Sequence, residues 1–409
     1  MPSPALDRLG SLSLTIICVG VLASYVGSLL LYKTWYLATG AGCAIALLVA
    51  SAGAVRVDGL ARALLPVLVY FAYLASTALW AADPATVLKW VAIDSIEIPV
   101  VGLFYLWALN SSFRTECRSM VALVYVCIPI AVGLQLIDPD ATRFGYRAVA
   151  LGPLVVPFCW VSWGRERSAP ALGAIVAVLA VLLISRSRTP LAATLIALLA
   201  SAWATSRSQW EFVRGGAWAV GVLAVLSVVL LAVPFTRPFL AETVSRLTGQ
   251  DIELGDTMIE AEPFDQVRWD VFTSAVELLW KHQPLGMGYM NFMVWFEDNF
   301  GLEMPLHNSF QTWALEGGVP CLAIVAWILW RYLRSLRLPA AAGDTDAKLE
   351  AAALRCAMLA TLVIGLFHQP HQAPMMFGML GMACAFAQRH CEPRYLISRS
   401  ALFGGVLAR

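Results

Sequence analysis

Apolar runs long enough to cross a membrane recur along the whole 409-residue chain, and few of them contain a charged residue. Hydrophobic residues make up 59% of the sequence and charged residues 13%, which is about half the charged share of a typical soluble protein. A segment that crosses a bilayer must satisfy its own backbone hydrogen bonds, and helices do this. The sequence therefore predicts an all-α polytopic membrane protein.

The apolar runs predict about twelve transmembrane helices. Their centres lie near residues 21, 45, 70, 98, 128, 156, 178, 197, 225, 320, 360 and 381. The fourth differs from the others because it carries Lys89, Asp94 and Glu97. The first follows Asp7 and Arg8 like a secretory signal, but it is long enough to span and has no convincing small-residue cleavage site, so we expect a retained helix.

The spacing of these runs divides the chain into three parts. We predict a bundle of nine transmembrane helices over residues 1–234, a large loop over 235–308, and three further helices with a C-terminal tail over 309–409. A loop of roughly seventy residues is too long to be a simple connector, and loops of that length are usually lids or binding elements. The sequence therefore predicts a functional loop that contains short helices.

One stretch of the loop, FDQVRWDVFTSAVELLWKH, has the pattern of an amphipathic helix. Its apolar positions recur at helical spacing, and its tryptophans are the residue type that favours a membrane interface. The apolar positions are Val267, Val271, Ala275 and Leu278, and the tryptophans are Trp269 and Trp280. We expect this helix to cover a site at the membrane surface.

The basic residues indicate the orientation of the chain, because cytoplasmic loops carry an excess of Lys and Arg. With twelve spans, most of the 28 basic residues, including Arg62, Arg165, Arg331 and Arg389, fall on the side that holds both termini. Both termini are therefore predicted to be cytoplasmic and the large loop to lie outside.

The net charge of +1 gives no indication of a nucleic-acid partner. The nine cysteines lie in or beside predicted spans and form no visible disulfide framework or metal-ligand cluster.

Two arginines break this pattern. Arg186 and Arg188, in VLLISRSRTPLAAT, lie between two apolar helices on the outer side. They either extend to the phosphates of the outer leaflet or form a fixed cationic site for a phosphorylated or lipid-linked substrate. A guanidinium suits the second role because it stays charged and can hold phosphate in a bidentate fork.

Further candidate residues lie near the end of the loop and beyond it. Arg268 could bind an anion or pair with a neighbouring aspartate, and His307 could act as a general base or as a hydrogen-bonded structural residue. Asn308 is a weaker candidate. Glu316 follows His307 by nine residues, about two and a half helical turns, so we expect it to contact another helix rather than orient the histidine. The two glycines after it are predicted to allow close packing.

A short outer loop, FHQPHQAP, adds His368 and His371. They are either turn residues that make interfacial hydrogen bonds, or residues that make additional contacts to the sugar or serve as a subsidiary base.

Four motifs occur together in one order along the chain. They are SRTP at 187–190, RW at 268–269, PLGMGYMNF at 284–292 and LHNSFQTWALEGGVP at 306–320. In this respect the sequence resembles the O-antigen ligase and polymerase superfamily of bacterial inner-membrane proteins. The resemblance covers about residues 170–335 by motif and the remainder only by helix count.

The resemblance implies a glycosyl transfer at the periplasmic face of the inner membrane. The donor would be an undecaprenyl pyrophosphate-linked glycan, and the acceptor a sugar hydroxyl of lipid A–core. It implies Arg188 and Arg268 as pyrophosphate-binding groups and His307 as general base. Arg186, two residues before Arg188, is a further candidate for pyrophosphate binding from its position alone. It implies no cofactor and no metal, because paired arginines can stabilise a departing pyrophosphate.

Three other functions remain open at this point. A polymerase of the same superfamily would join one lipid-linked repeat to another, and the single large loop favours the ligase only slightly. A ligase for protein glycosylation would need a peptide groove, of which the sequence gives no sign. A transporter of the same lipid would show repeats or charges near the bilayer midplane, whereas the notable charges here are at one face.

Overall fold

The computed structural model describes residues 57–95, 97–137, 151–184, 188–206, 208–232, 245, 252–254, 257–259, 266–306, 308–337, 344–366 and 375–390. Almost all of this part of the chain is helical. Its helices are α1 (Val57–Ser76), α2 (Pro84–Asp94), α3 (Glu97–Asn110), α4 (Phe113–Ile137), α5 (Leu151–Glu166), α6 (Ala169–Ile184), α7 (Arg188–Thr205), α8 (Gln209–Ala232), α9 (Gln266–Lys281), α10 (Asn291–Phe300), α11 (Gly318–Ser335), α12 (Thr345–Gly365) and α13 (Met375–His390). A 3₁₀ turn (Thr77–Leu79) follows α1, and a helical turn (Ser309–Gln311) and a π-helical turn (Thr312–Glu316) precede α11.

A short antiparallel hairpin lies in the large loop. Strand β1 (Ile252–Leu254) pairs with β2 (Thr257–Ile259), with Ile252 opposite Ile259. The sequence predicts only short helices in this loop. Three-residue strands are too short to give a recognisable alternation, which explains why the pattern did not predict them.

Helices occur at each predicted span centre that lies in the described residues, while the centres near 21 and 45 lie outside them. In the described part of the chain, three helical segments are long and apolar enough to cross a membrane: Gly59–Leu79, Pro84–Leu109 and Gln209–Val229. The number of spans therefore stays a prediction, as do the domain boundaries. The fourth predicted span is formed by α2 and α3 together, and the two helices meet at Ser95.

The closest helix packing joins α3 to α13, which run in the same direction. A Cβ atom added at Gly381 would overlap the carbonyl oxygen of Val101, and one added at Gly378 would lie 2.9 Å from the ring of Phe104. Small residues at a helix interface allow backbones to approach this closely in membrane proteins.

One end of the bundle is held by charged residues. Arg389 of α13 donates to Glu116 of α4 at 3.0 Å and also to Glu350 of α12, and both glutamates are buried. An exposed pair, Arg165 and Asp346, joins α5 to α12 at 2.5 Å. These contacts bring together residues from loops that were predicted to share the cytoplasmic side.

The same end also holds the start of α1 and the end of α11. Arg331 donates to the carbonyl oxygen of Arg62 at 3.2 Å, and Tyr332 donates to the carbonyl oxygen of Leu354 at 2.6 Å. The end of α1 and the start of α11 therefore lie at the opposite end of the bundle, where the motif segments are found.

Candidate functional site

The two longest sequence motifs lie side by side and are joined by main-chain hydrogen bonds. Met287 N–H donates to the carbonyl oxygen of Leu315 at 2.9 Å, and Gly288 N–H donates to that of Glu316 at 3.0 Å. In the other direction, Val319 N–H donates to the carbonyl oxygen of Pro284 at 2.9 Å. We call this set of contacts between residues 284–288 and 315–319 the motif clamp.

Glycines make the motif clamp possible. The φ angles are 80° at Gly286, 99° at Gly288 and 68° at Gly318, in a region that residues other than glycine rarely adopt. A Cβ atom at Gly286 would lie 2.5 Å from the carbonyl oxygen of Glu316. The tight turns predicted for PLGMGYMNF and the close packing predicted at Gly318 are therefore present.

Glu316 connects the π-helical turn to α10. Its side chain is buried, and its Oε1 atom accepts a hydrogen bond from Phe292 N–H, in the first turn of α10, at 3.2 Å. Gln283 donates to the carbonyl oxygen of Ala314 at 2.7 Å and adds a further connection to the same turn. The carboxyl group thus contacts another helix, the type of contact predicted from its distance along the chain from His307.

The motif clamp is also bound to the end of α1 and the start of α2. Tyr289 N–H donates to the Thr77 hydroxyl at 3.0 Å, and Tyr73 donates to the carbonyl oxygen of Gly317 at 2.5 Å. The side chain of Asn291 forms a pair of hydrogen bonds with the backbone of Asp83, at 2.7 Å and 3.2 Å. The motif segments are therefore fixed to the bundle and do not form a separate layer above it.

Asp83 has a second function as the N-cap of α2. Its carboxylate accepts from the Thr86 hydroxyl at 2.6 Å and from the backbone N–H groups of Ala85 and Thr86. These bonds, chiefly the one from the Thr86 hydroxyl, hold the pKa of Asp83 below its usual range. The start of α2 is therefore anchored by an ionised carboxylate at neutral pH.

Two buried acids near the motif clamp, Asp94 and Glu97, are not among the site residues predicted from the sequence. Tyr289 donates to Asp94 Oδ2 at 2.6 Å. Glu97 is 1% exposed, and neither of its carboxyl oxygens has a hydrogen-bond partner among the residues that the structure describes. The available signal was the presence of two acids in an otherwise apolar run, which in membrane proteins usually marks residues that face the bundle interior.

Several predicted site residues lie outside the described residues, namely Arg186, His307, His368 and His371. The backbones of two others are described: Arg188 is the first residue of α7, and Arg268 lies in the first turn of α9. The structure describes the backbone of these two arginines but not their side chains, so their roles in binding pyrophosphate stay predictions.

Asn308 has a visible structural function. Its side-chain oxygen accepts from Phe310 N–H at 2.8 Å and from Gln311 N–H at 3.3 Å, so it caps the helical turn that begins at Ser309. This cap fixes the backbone immediately after position 307. A direct contact between Asn308 and a substrate stays a prediction.

The helix packing places the start of α7 at the same end of the bundle as the motif clamp. Trp160 of α5 donates to Thr205 at the end of α7, at 3.1 Å, and Arg165 of α5 pairs with Asp346 at the start of α12. The end of α7 therefore lies beside the start of α12. Consequently the start of α7 lies at the end of the bundle where α12 finishes, and there Gly365 lies against Ser309. The backbones of Arg188, of Ser309 and of the chain leading to His368 thus share one end.

The loop helix α9 packs onto the motif segments. Its residues Val271, Ala275 and Leu278 are buried in a small core with Leu306 and Leu315. This confirms three of the four predicted apolar positions, and the side chain of the fourth, Val267, is outside the description. The same small core contains Val271, three residues after Arg268, and Leu306, which directly precedes His307.

Part of the chain matches a protein-family model. Residues 173–326 match the family model described as O-antigen ligase. This match supports the O-antigen ligase superfamily for that part of the chain. No curated protein matches the sequence.

The matched segment begins within α6 and ends within α11, so it contains α7, the loop helices and both sides of the motif clamp. Members of the O-antigen ligase superfamily are glycosyltransferase-like ligases or polymerases, which use lipid-linked glycans and lipid acceptors in general. Together with its apolar helices, this indicates that the chain is a membrane protein.

Proposed function

We propose that this chain is a lipopolysaccharide O-antigen ligase. It transfers O-antigen polysaccharide from undecaprenyl pyrophosphate to a sugar hydroxyl of lipid A–core. The observation that carries the proposal is the motif clamp, because it joins two segments of the family-matched region at the end of the bundle where α7 begins.

The proposed reaction is a displacement at the anomeric carbon of the donor glycan. His307 accepts the proton of the acceptor hydroxyl as its oxygen attacks that carbon. The bond between the anomeric carbon and the pyrophosphate oxygen breaks, and the pyrophosphate leaves on its lipid with the electron pair. Attack from the face opposite the leaving group inverts the anomeric configuration.

Arginines bind the leaving group in this proposal. Arg188 and Arg268, with Arg186 beside them, hold the pyrophosphate and stabilise the negative charge that develops on it. The first turn of a helix suits this role because its free N–H groups also favour an anion, and both Arg188 and Arg268 lie in the first turn of a helix.

The proposed position in the cell follows from the substrates. The lipid chain of the donor stays in the bilayer while its headgroup reacts at the surface, so the site belongs at the outer end of the bundle beneath the large loop. We therefore place the chain in the bacterial inner membrane with about twelve spans, both termini in the cytoplasm and the site facing the periplasm.

The deciding experiment is reconstitution with an undecaprenyl pyrophosphate glycan and two acceptors offered separately. One acceptor is lipid A–core and the other is a second lipid-linked repeat. A ligase glycosylates lipid A–core, whereas a polymerase of the same superfamily lengthens the lipid-linked glycan. Movement of the donor across the bilayer without a new glycosidic bond would identify a transporter.

The residue roles are tested in the same assay. His307→Ala is expected to abolish transfer, with His390→Ala at the opposite end of the bundle as the matched histidine control. Arg188→Ala and Arg268→Ala are expected to weaken use of the donor, and Arg→Lys restores it only partly because the forked geometry is lost. The matched arginine control is Arg165→Ala, which removes only an exposed ion pair.

The histidines of FHQPHQAP need a separate variant. Transfer that is unchanged in a His368→Ala, His371→Ala double variant would limit both residues to a turn. Unimpaired transfer in all the His307, Arg188 and Arg268 variants, with protein that elutes as a folded species in detergent, would remove the proposed site.

A further inference from the structure

The loop helix α9 has three distinct faces. Its core face, formed by Val271, Ala275 and Leu278, is buried against the motif segments. Its polar face includes Glu277 and Lys281, which form an exposed ion pair at 2.9 Å.

The third face of α9 is apolar and exposed. Its residues follow helical spacing: Trp269 is 47% exposed, Phe272 and Val276 are each 43% exposed, and Trp280 is 80% exposed. We call these four residues the aromatic face. The rings of Trp269 and Phe272 stack on each other, with centroids 5.7 Å apart.

The orientation of the aromatic face is fixed by the rest of the helix. Because the core face is packed against Leu306 and Leu315, α9 cannot rotate to bury its tryptophans without losing that core. The exposed aromatic face is thus a consequence of the way the helix packs.

The C-terminal end of α9 lies near the start of α11, which also carries exposed apolar residues. The chain leaves α9 and reaches Pro284, whose carbonyl oxygen accepts from Val319 N–H in the first turn of α11. Leu285, Val319 and Leu322 are exposed along this path, and the exposed apolar residues Trp330 and Leu333 follow further along α11. Exposed apolar side chains therefore occur both on the loop helix and on the adjoining helix, which is predicted to span the membrane.

We propose that the aromatic face of α9 rests in the surface of the lipid bilayer. A helix with one polar face and one face rich in Trp and Phe is typical of segments that lie in the plane of the membrane interface. Tryptophan favours this depth because its ring is apolar and its indole N–H can bond to the headgroup region. The lipid contact holds the loop close to the membrane, where a lipid-linked substrate presents its headgroup.

The test measures lipid contact and requires no transfer activity. A fluorescent amino acid is placed at Val276 on the aromatic face, and in separate proteins at Glu277 on the polar face and at Val220. The last is an exposed position in the predicted span Gln209–Val229 and serves as the lipid-contact standard. Each full-length protein is placed in nanodiscs of plain phospholipid and in nanodiscs whose acyl chains carry bromine, which quenches on contact.

Quenching at Val276 is expected to approach that at Val220 and to exceed that at Glu277 several-fold. Equal quenching at Val276 and Glu277 would overturn the proposal. So would quenching at Val276 that stays low until a lipid-linked donor with a brominated chain is added, because the aromatic face would then bind the donor. A Val276 probe that is shielded yet unquenched, in protein that cross-links as dimers, would instead assign the face to a second copy of the chain. None of these outcomes depends on which glycosyl transfer the protein catalyses.

Discussion

The replacement Gly318→Ala tests whether the motif clamp holds the loop segments to the bundle. Gly318 has a φ angle of 68°, and a Cβ atom there would overlap main-chain atoms of Pro284, Leu285 and Gly286. Because the clashing atoms belong to the backbone, no side-chain rotation can relieve the overlap. The two motif segments would have to move apart.

The expected cost has two parts. An alanine in the left-handed region costs about 1–2 kcal/mol. Each clamp hydrogen bond that is stretched or lost adds about 1 kcal/mol, and the clamp has three of them. The free energy of unfolding should therefore fall by roughly 3–5 kcal/mol in Gly318→Ala.

Two other glycines separate these contributions. Gly301 has the same φ angle of 68° but nothing within 4 Å of an added Cβ, so Gly301→Ala should cost only the conformational part. Gly221 lies inside α8 with open space around it, so Gly221→Ala should be neutral or stabilise by up to about 1 kcal/mol. Thermal unfolding in detergent, followed by circular dichroism, measures the order of the three variants. A Gly318→Ala protein as stable as Gly301→Ala would refute the clamp as a stabilising contact.

Three further replacements test other contacts of the structure. Tyr289→Phe removes the hydrogen-bond donor to the buried Asp94 and should lower the free energy of unfolding by about 1–3 kcal/mol. Tyr125→Phe removes an exposed hydroxyl and should lower it less, which chemical denaturation of both variants measures. Arg389→Ala leaves two buried glutamates without their arginine and should lower the free energy of unfolding by about 3–5 kcal/mol. The exposed Arg165→Ala should lower it by about 1 kcal/mol or less. Equal melting temperatures of the two variants would contradict this. The lysine one turn after Glu277 lowers the pKa of that carboxyl by donating a hydrogen bond and by its charge. The resulting stability of α9 is present above the ordinary carboxyl pKa and is lost as the pH falls through the lowered value. The protection factors of the α9 amides, which are corrected for the intrinsic pH dependence of exchange, should therefore fall at acid pH in the wild type and fall less in Glu277→Gln.

Local patterns in the sequence predicted the elements well. The apolar runs located the helices, and the spacing of Val271, Ala275 and Leu278 predicted the buried face of α9. These features depend on residues a few positions apart, which a periodic pattern records. The left-handed turns at Gly286 and Gly288 follow from the same kind of local information.

The contacts between distant segments could not be predicted. The bond from Tyr289 to Asp94 joins residues 195 positions apart, and nothing near either residue indicates the other. The division of the fourth span between α2 and α3 was likewise not predicted, and both acids near the division, Asp94 and Glu97, are buried. For the same reason the sequence could name the motifs but could not show that two of them form one clamp.

The motif clamp is built from main-chain atoms, and this has a consequence for protein engineering. Amide and carbonyl groups are the same in every amino acid other than proline, so the identity of an outward-pointing neighbour such as Leu285 has little influence on the clamp. Substitutions at such neighbours should therefore leave the clamp in place, provided that Gly286, Gly288 and Gly318 are kept. Relatives of this protein could then differ in the side chains around the clamp while they keep its three glycines.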